Sequence, residues 1–173
     1  MAKGLLLVFT GNGKGKSTAA FGLAFRALGH GFPVCVIQFL KGNRHTGELQ
    51  AAKRFENLLD FHVLGRGFTW KSDDLEKDRR QAITAWNFAV KTIEDNRHRL
   101  IILDELTYLI QYGMLSEQEI IHTLAARPPE MHIVVTGRNA TEKLVAAADL
   151  VTEMQAVKHP YDQGVAAQKG IEF

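Results

Sequence analysis

Residues 11–17 read GNGKGKS and stand between an apolar run, LLLVFT (5–10), and a helix-forming stretch from Ser17 to Leu28. No other segment restricts the fold as strongly. A glycine loop joining a strand to a helix directs successive backbone N–H groups into a concavity, and the helix adds the positive end of its dipole. Glycine lets that backbone take positive φ and approach a ligand closely. The phosphate-binding pattern is G-x-x-x-x-G-K-[ST], which fits Gly15-Lys16-Ser17 but asks for glycine where Thr10 stands. Gly11, Gly13 and Gly15 keep the loop pliable, and Lys14 adds a second amine within it.

The rest of the chain repeats the same rhythm of short apolar run, loop and helical segment. Runs at 5–10, 34–39 (VCVIQF), 61–64 (FHVL), 100–104 (LIILD), 131–136 (MHIVVT) and 150–155 (LVTEMQ) read as strands. The best of them are continuous rather than alternating, as in strands buried on both faces. Helices are expected over 17–28, over 74–95, and from starts at Ser116/Glu119 and Asn139/Glu142. In the 74–95 segment, Asp73 and Glu76 have capping-box spacing, and Ile83, Trp86, Val90 and Ile93 form one apolar stripe. The expectation is an α/β fold with a mainly parallel sheet and helices on both faces. Without repeats, low-complexity tracts or linkers, residues 1–173 are expected to form a single domain. Ligands of such sheets bind at the carboxyl ends of the strands, which selects the loops beginning at Thr10, Lys41, Gly65, Asp104 and Thr136.

Within those loops, Lys16 is placed to bridge phosphate oxygens and the Ser17 hydroxyl to ligate Mg²⁺. The strand of RLIILDEL ends in Asp104 and Glu105, a carboxylate pair suited to supporting that ion, and spacing leaves open which one touches it. Lys41, Arg44, His45 and Glu48 in KGNRHTGE and Arg138 in TGRN are candidates for phosphate or ribose contacts, with solvated loop side chains as the alternative. Phe68 and Trp70 in GRGFTW read either as loop packing or as a flat surface for a large planar ligand. Cys35, the only cysteine, excludes an intramolecular disulfide and reads as a small buried hydrophobe. The seven histidines lack metal-ligand spacing. A net charge of +2, from 21 basic and 19 acidic side chains, gives no basic stretch for nucleic acid. The first apolar run is too short for a signal peptide or membrane span, so a cytoplasmic protein is expected.

VFTGNGKGKSTAAFG, QFLKG, GFTW, LDELTY, TGRN and KHPYDQGVAAQKGI occur here in order. That set resembles the P-loop cob(I)alamin (corrinoid) adenosyltransferases over nearly the whole chain. The resemblance implies a P-loop NTPase-like core of the recombinase type, and transfer of the 5′-deoxyadenosyl group of ATP to a Co(I) corrinoid with release of triphosphate. It implies that Gly11, Asn12, Gly13, Lys14, Gly15, Lys16, Ser17 and Thr18 bind the nucleotide, in an orientation reversed relative to most such loops, with help from Lys41 and Arg138. Ser17 and Glu105 would ligate Mg²⁺, with Asp104 beside them or as the alternate ligand. Lys16 would act on the leaving group, while Phe68 and Trp70 close the lower face of the corrin and ease reduction to Co(I). A flavoprotein reductant and a homodimer are implied too, without membrane or nucleic-acid partners. Many members carry an N-terminal segment that folds over the site, whereas three residues precede GLLLVFT here, so that cover is expected to be absent or supplied by another element. The rival classes are a P-loop phosphotransferase or ATPase, which would release ADP, and a non-catalytic nucleotide-dependent module or nucleic-acid motor.

Overall fold

The structure, a computed structural model, describes residues 3–40, 42, 46–65, 67 and 75–172. The strands are β1 (Leu6–Thr10), β2 (Val34–Gln38), β3 (Leu59–Val63), β4 (Leu100–Asp104), β5 (His132–Thr136) and β6 (Leu150–Glu153). Helices α1 (Lys16–Gly29), α2 (Gly47–Ala52), α3 (Leu75–Glu94), α4 (Thr107–Gln111), α5 (Glu117–Ala125) and α6 (Glu142–Ala147) connect them. The strands form one sheet in the order β3-β2-β4-β5-β1-β6, and every pairing is parallel.

Alternation along the strands explains why both faces need cover. Leu6, Val8, Cys35, Ile37, Ile101, Leu103, Ile133 and Val135 point to one side, where they meet Trp86 and Ile93 of α3, Ile120 and Leu124 of α5 and Leu144 of α6. Phe9, Val34, Val36, Leu100, Ile102 and Val134 point to the other, against Ala20, Ala24 and Leu28 of α1. Cys35 is fully buried, and burial pushes its thiol up to about 12, so it is an inert core residue as expected. The α/β fold with helices on both faces agrees with the sequence reading.

Two local expectations change. The buried stripe of α3 is Ala82, Ala85, Trp86, Ala89, Thr92 and Ile93, with Ile83 turned outward at 38% exposure. Small residues let the helix lie close to the sheet, and a stripe built on the large hydrophobes alone is rotated from the real one. Asp73, the proposed cap of that helix, lies outside the described residues. Helix α6 begins at Glu142 under the side chain of Thr141, which accepts the Leu144 N–H at 3.2 Å, rather than under Asn139. Asn139 takes φ 53°, a turn conformation. Ser116 does cap α5, accepting the Glu119 N–H at 3.4 Å.

Candidate functional site

Register brings the ends of β1, β4 and β5 to one edge. Phe9 pairs with Thr136, Leu103 with Val135 and Gln38 with Asp104. Thr10, Asp104 and Thr136 therefore share the carboxyl end of the sheet, where α1 starts.

Chain neighbours dictate the glycine loop as much as any ligand does. The residues after β6 run against it: the Gly13 N–H donates to the Met154 carbonyl at 2.7 Å. A Cβ on Gly13 would lie 2.6 Å from the Gln155 carbonyl oxygen, and one on Gly11 2.4 Å from that of Met154. Gly11 also has φ 94°, and Gly15, at φ 118°, caps α1 from the left-handed region. Thr10, the departure from the glycine pattern, is buried and its Oγ1 accepts the Ala140 N–H at 3.1 Å. Its hydroxyl ties the loop after β1 to the loop after β5, which glycine could not do. Lys16 folds back over the loop, and its Nζ donates to the carbonyls of Gly11 and Gly13, each at 2.7 Å. Burial holds its pKa below the usual lysine range and Arg138 adds to that effect, while Glu105 opposes it.

Asp104 is fully buried at the end of β4. Its Oδ1 accepts from Ser17 Oγ and from Thr136 Oγ1, both at 2.7 Å, and its Oδ2 accepts from Gln38 Nε2 at 2.8 Å. Glu105 has φ 67°, a conformation that costs a non-glycine residue about 1 kcal/mol or more and that concentrates at functional sites. The turn is held by its N–H, which donates to Thr136 Oγ1 at 2.9 Å. The two carboxylates thus stand in different settings: Asp104 is built into a hydrogen-bond network, and Glu105 lines a cavity.

That cavity, of about 520 Å³, has Asn12, Gly13, Lys14, Gly15, Lys16, Ser17 and Thr18 as its floor and Glu48, Glu105, Tyr108 and Arg138 along one wall. Arg138 is delivered by a rigid turn. Gly137 takes φ 142° with Thr107 Oγ1 where a Cβ would stand, and that hydroxyl donates to the Arg138 carbonyl at 2.7 Å. Ala156, His159, Tyr161, Asp162, Ile171 and Glu172 of the C-terminal tail complete its lining. Tyr108 and these tail residues were not anticipated as site residues. The tail has no apolar periodicity, and its only local signals are turn formers: His159 accepts the Tyr161 N–H at 3.1 Å, and Gly164 has φ 75°. Lys41, Arg44, His45, Phe68 and Trp70 lie outside the described residues. The start of the aromatic loop is fixed, because the N–H of Gly65 donates to the Gln38 carbonyl at 3.2 Å and that of Gly67 to Leu40 at 3.0 Å. Among the described residues no helix is long and apolar enough to cross a membrane, and no three His, Cys, Asp or Glu residues cluster as a metal site.

A parallel sheet with a glycine loop running from its first strand into a helix, and a buried acid ending a neighbouring strand, defines a P-loop α/β protein. Comparison with known proteins gives the family. Residues 2–173 match the model of the family described as ATP:corrinoid adenosyltransferase BtuR/CobO/CobP, and the chain belongs to that family. It is 46% identical over 171 residues to a corrinoid adenosyltransferase of Pseudomonas aeruginosa, covering 99% of this chain and 84% of that one. It is 41% identical to the corrinoid adenosyltransferase CobA of Salmonella typhimurium, covering 99% and 86%. Among solved structures, the flagellar accessory protein FlaH of Methanocaldococcus jannaschii shares the fold, with TM-score 0.59 and 13% identity over 88% of this chain and 72% of that one.

Proposed function

We propose that this chain transfers the 5′-deoxyadenosyl group of ATP to the Co(I) of a corrinoid and releases triphosphate. The carrying observation is the family match over residues 2–173, in a molecule whose GKS, DEL and TGRN segments surround one cavity. The electron pair of Co(I) forms the Co–C5′ bond, and the electrons of the C5′–O bond leave with the triphosphate. No side chain has to act as nucleophile, so the protein's work is alignment and stabilisation of charge on the departing group. The loop N–H groups around Lys16, apart from that of Gly13, which is bonded to Met154, and the ammonium of Lys16 supply that stabilisation. Lys16 exchanges the carbonyls of Gly11 and Gly13 for phosphate oxygens, a charge-assisted replacement for neutral hydrogen bonds. Arg138 and Lys41 add to the hold on the nucleotide.

The oxygens of Ser17 and Asp104, 2.7 Å apart, with Glu105 on the cavity wall, form the hard donor set that suits Mg²⁺ shared with a triphosphate. Ser17 and Glu105 would hold the ion, and Asp104 would orient the Ser17 hydroxyl. Bound there, Mg²⁺ neutralises phosphate charge. Phe68 and Trp70 close the lower face of the corrin, and a flavoprotein supplies the electron for Co(I). The enzyme works as a homodimer in the cytoplasm, each chain being one domain over residues 1–173.

Anaerobic incubation with ATP, Mg²⁺ and chemically reduced cobalamin tests the reading. A light-sensitive Co–C product with stoichiometric triphosphate is expected, whereas ADP and phosphate would show a phosphotransferase or ATPase instead.

A further inference from the structure

We propose that Glu172 sets how firmly the loop holds its triphosphate, by competing for Lys14, and that it thereby favours release of product over release of substrate. This rests on the reading of the loop as the seat of the leaving triphosphate.

Glu172 Oε1 accepts from Lys14 Nζ at 2.5 Å, and its Oε2 accepts the Gln168 N–H at 2.7 Å. The Glu172 N–H in turn donates to the Gln168 carbonyl at 2.9 Å. Both carboxylate oxygens are therefore engaged, one by the tail's own turn and one by the glycine loop. The pair stands at the solvent edge of the cavity, with the Glu172 side chain 26% exposed and that of Lys14 38%. The hydrogen bond donated by Lys14, and then that from the Gln168 N–H, hold Glu172 below the usual carboxylate range. Glu172 and Lys14 line the same cavity as Lys16 and Ser17.

An arriving polyphosphate meets an amine already claimed by an anion. To engage Lys14 it must displace the Glu172 carboxylate or accept a like charge beside it, and either choice weakens its hold. The penalty grows with the charge of the ligand. Free tripolyphosphate carries about one more negative charge than the same chain esterified in ATP, so a fixed carboxylate repels the product more than the substrate. Lys16 is held differently, since its hydrogen bonds to the loop go to the neutral Gly11 and Gly13 carbonyls. The loop thus holds one amine committed to the transferring nucleotide and one whose grip is moderated by the tail.

Glu172→Gln tests this directly, because glutamine retains an acceptor for the Gln168 N–H while removing the charge. Calorimetric titration of the full chain with Mg²⁺-tripolyphosphate and, separately, with Mg²⁺-ATP should show tripolyphosphate bound about tenfold more tightly than in the unaltered protein, and ATP by a smaller factor. The gain should shrink as salt is raised. In turnover, inhibition by tripolyphosphate should strengthen while the KM for ATP changes less. Glu172→Ala should move tripolyphosphate affinity in the same direction. A carboxylate that only tethers the tail gives the opposite sign: both variants loosen the wall and weaken both ligands. Unchanged or weakened tripolyphosphate binding in Glu172→Gln overturns the proposal. Failure of the unaltered protein to bind tripolyphosphate at all would overturn the functional reading beneath it.

Discussion

Lys16 and Thr10 show what single positions in the glycine loop are asked to do. Lys16 was legible from its place in GKS, because the chemistry of a phosphate cradle needs an amine there. What spacing cannot give is its resting state, folded onto two loop carbonyls and lowered in pKa by burial. Lys16→Ala should lower turnover by about 10²-fold or more in the anaerobic assay, since it removes a fixed charge from the departing triphosphate. Unchanged turnover would remove Lys16 from the mechanism. Thr10 was legible only as an irregularity. Its partner, the Ala140 N–H, is 130 positions away, and no local rule connects the two. Thr10→Gly restores the general loop pattern yet should cost about 1 kcal/mol in chemical unfolding, because a part-buried N–H loses its acceptor. A gain in stability would show that the loop does not need the tie. The choice between Asp104 and Glu105 was equally closed to sequence, since adjacent residues differ here only through φ 67° at Glu105 and the burial of Asp104.

At the level of elements, β1, β2, β4 and β5 were readable because strands buried on both faces leave continuous apolar runs, while the edge strands β3 and β6, partly or fully exposed, showed only short apolar stretches. Helices were readable in proportion to their length. The short helices α2 and α4, of 6 and 5 residues, have too few turns to display a periodic face. In α3 the period was right and Trp86, Val90 and Ile93 do face the core, but Ile83 turns outward, because three of the buried positions are alanines that let the helix lie close. Trp86 is the large side chain at the centre of that face, 1% exposed, and among the described residues its indole Nε1 finds no hydrogen-bond partner. Trp86→Ala should cost about 3–5 kcal/mol in urea unfolding through the cavity it leaves. Trp86→Phe should cost far less, because the smaller ring still fills much of the space and leaves no unpaired N–H. Ile83→Ala, on the outward side, should fall below about 1 kcal/mol. Equal costs at positions 83 and 86 would return the buried stripe to the one drawn from sequence.

Across the whole molecule, the end of the chain is what completes the architecture. Segment 150–172 supplies the strand beside β1, the backbone that packs on the glycine loop and one wall of the cavity. The tail's motif was visible but not its place, since its order comes from long-range contacts with a loop more than 140 positions earlier. At the opposite end of the sheet, Asp149 binds the same two ends of the chain together. It accepts the Leu6 N–H at 2.9 Å, Lys3 at 2.7 Å and Arg127 at 3.1 Å, while its own N–H donates to the Leu6 carbonyl at 2.8 Å. Arg127 extends the clamp to the carbonyls of Gly4 and Leu124. The Leu6 N–H first, and then Lys3, depress the Asp149 carboxyl from 3.8 to about 2. A carboxyl whose pKa is lower folded than unfolded favours the folded state while ionised. That contribution is fully present above about pH 4 and is lost as pH falls through about 2. Asp149→Asn should therefore melt below the unaltered protein near neutral pH, and the gap should close between about pH 4 and pH 2. Thermal unfolding of both proteins across that range measures it. A gap that persists unchanged down to about pH 2 would mean that the clamp holds by shape and neutral hydrogen bonds, with the charge of Asp149 contributing nothing to joining the last strand to the first.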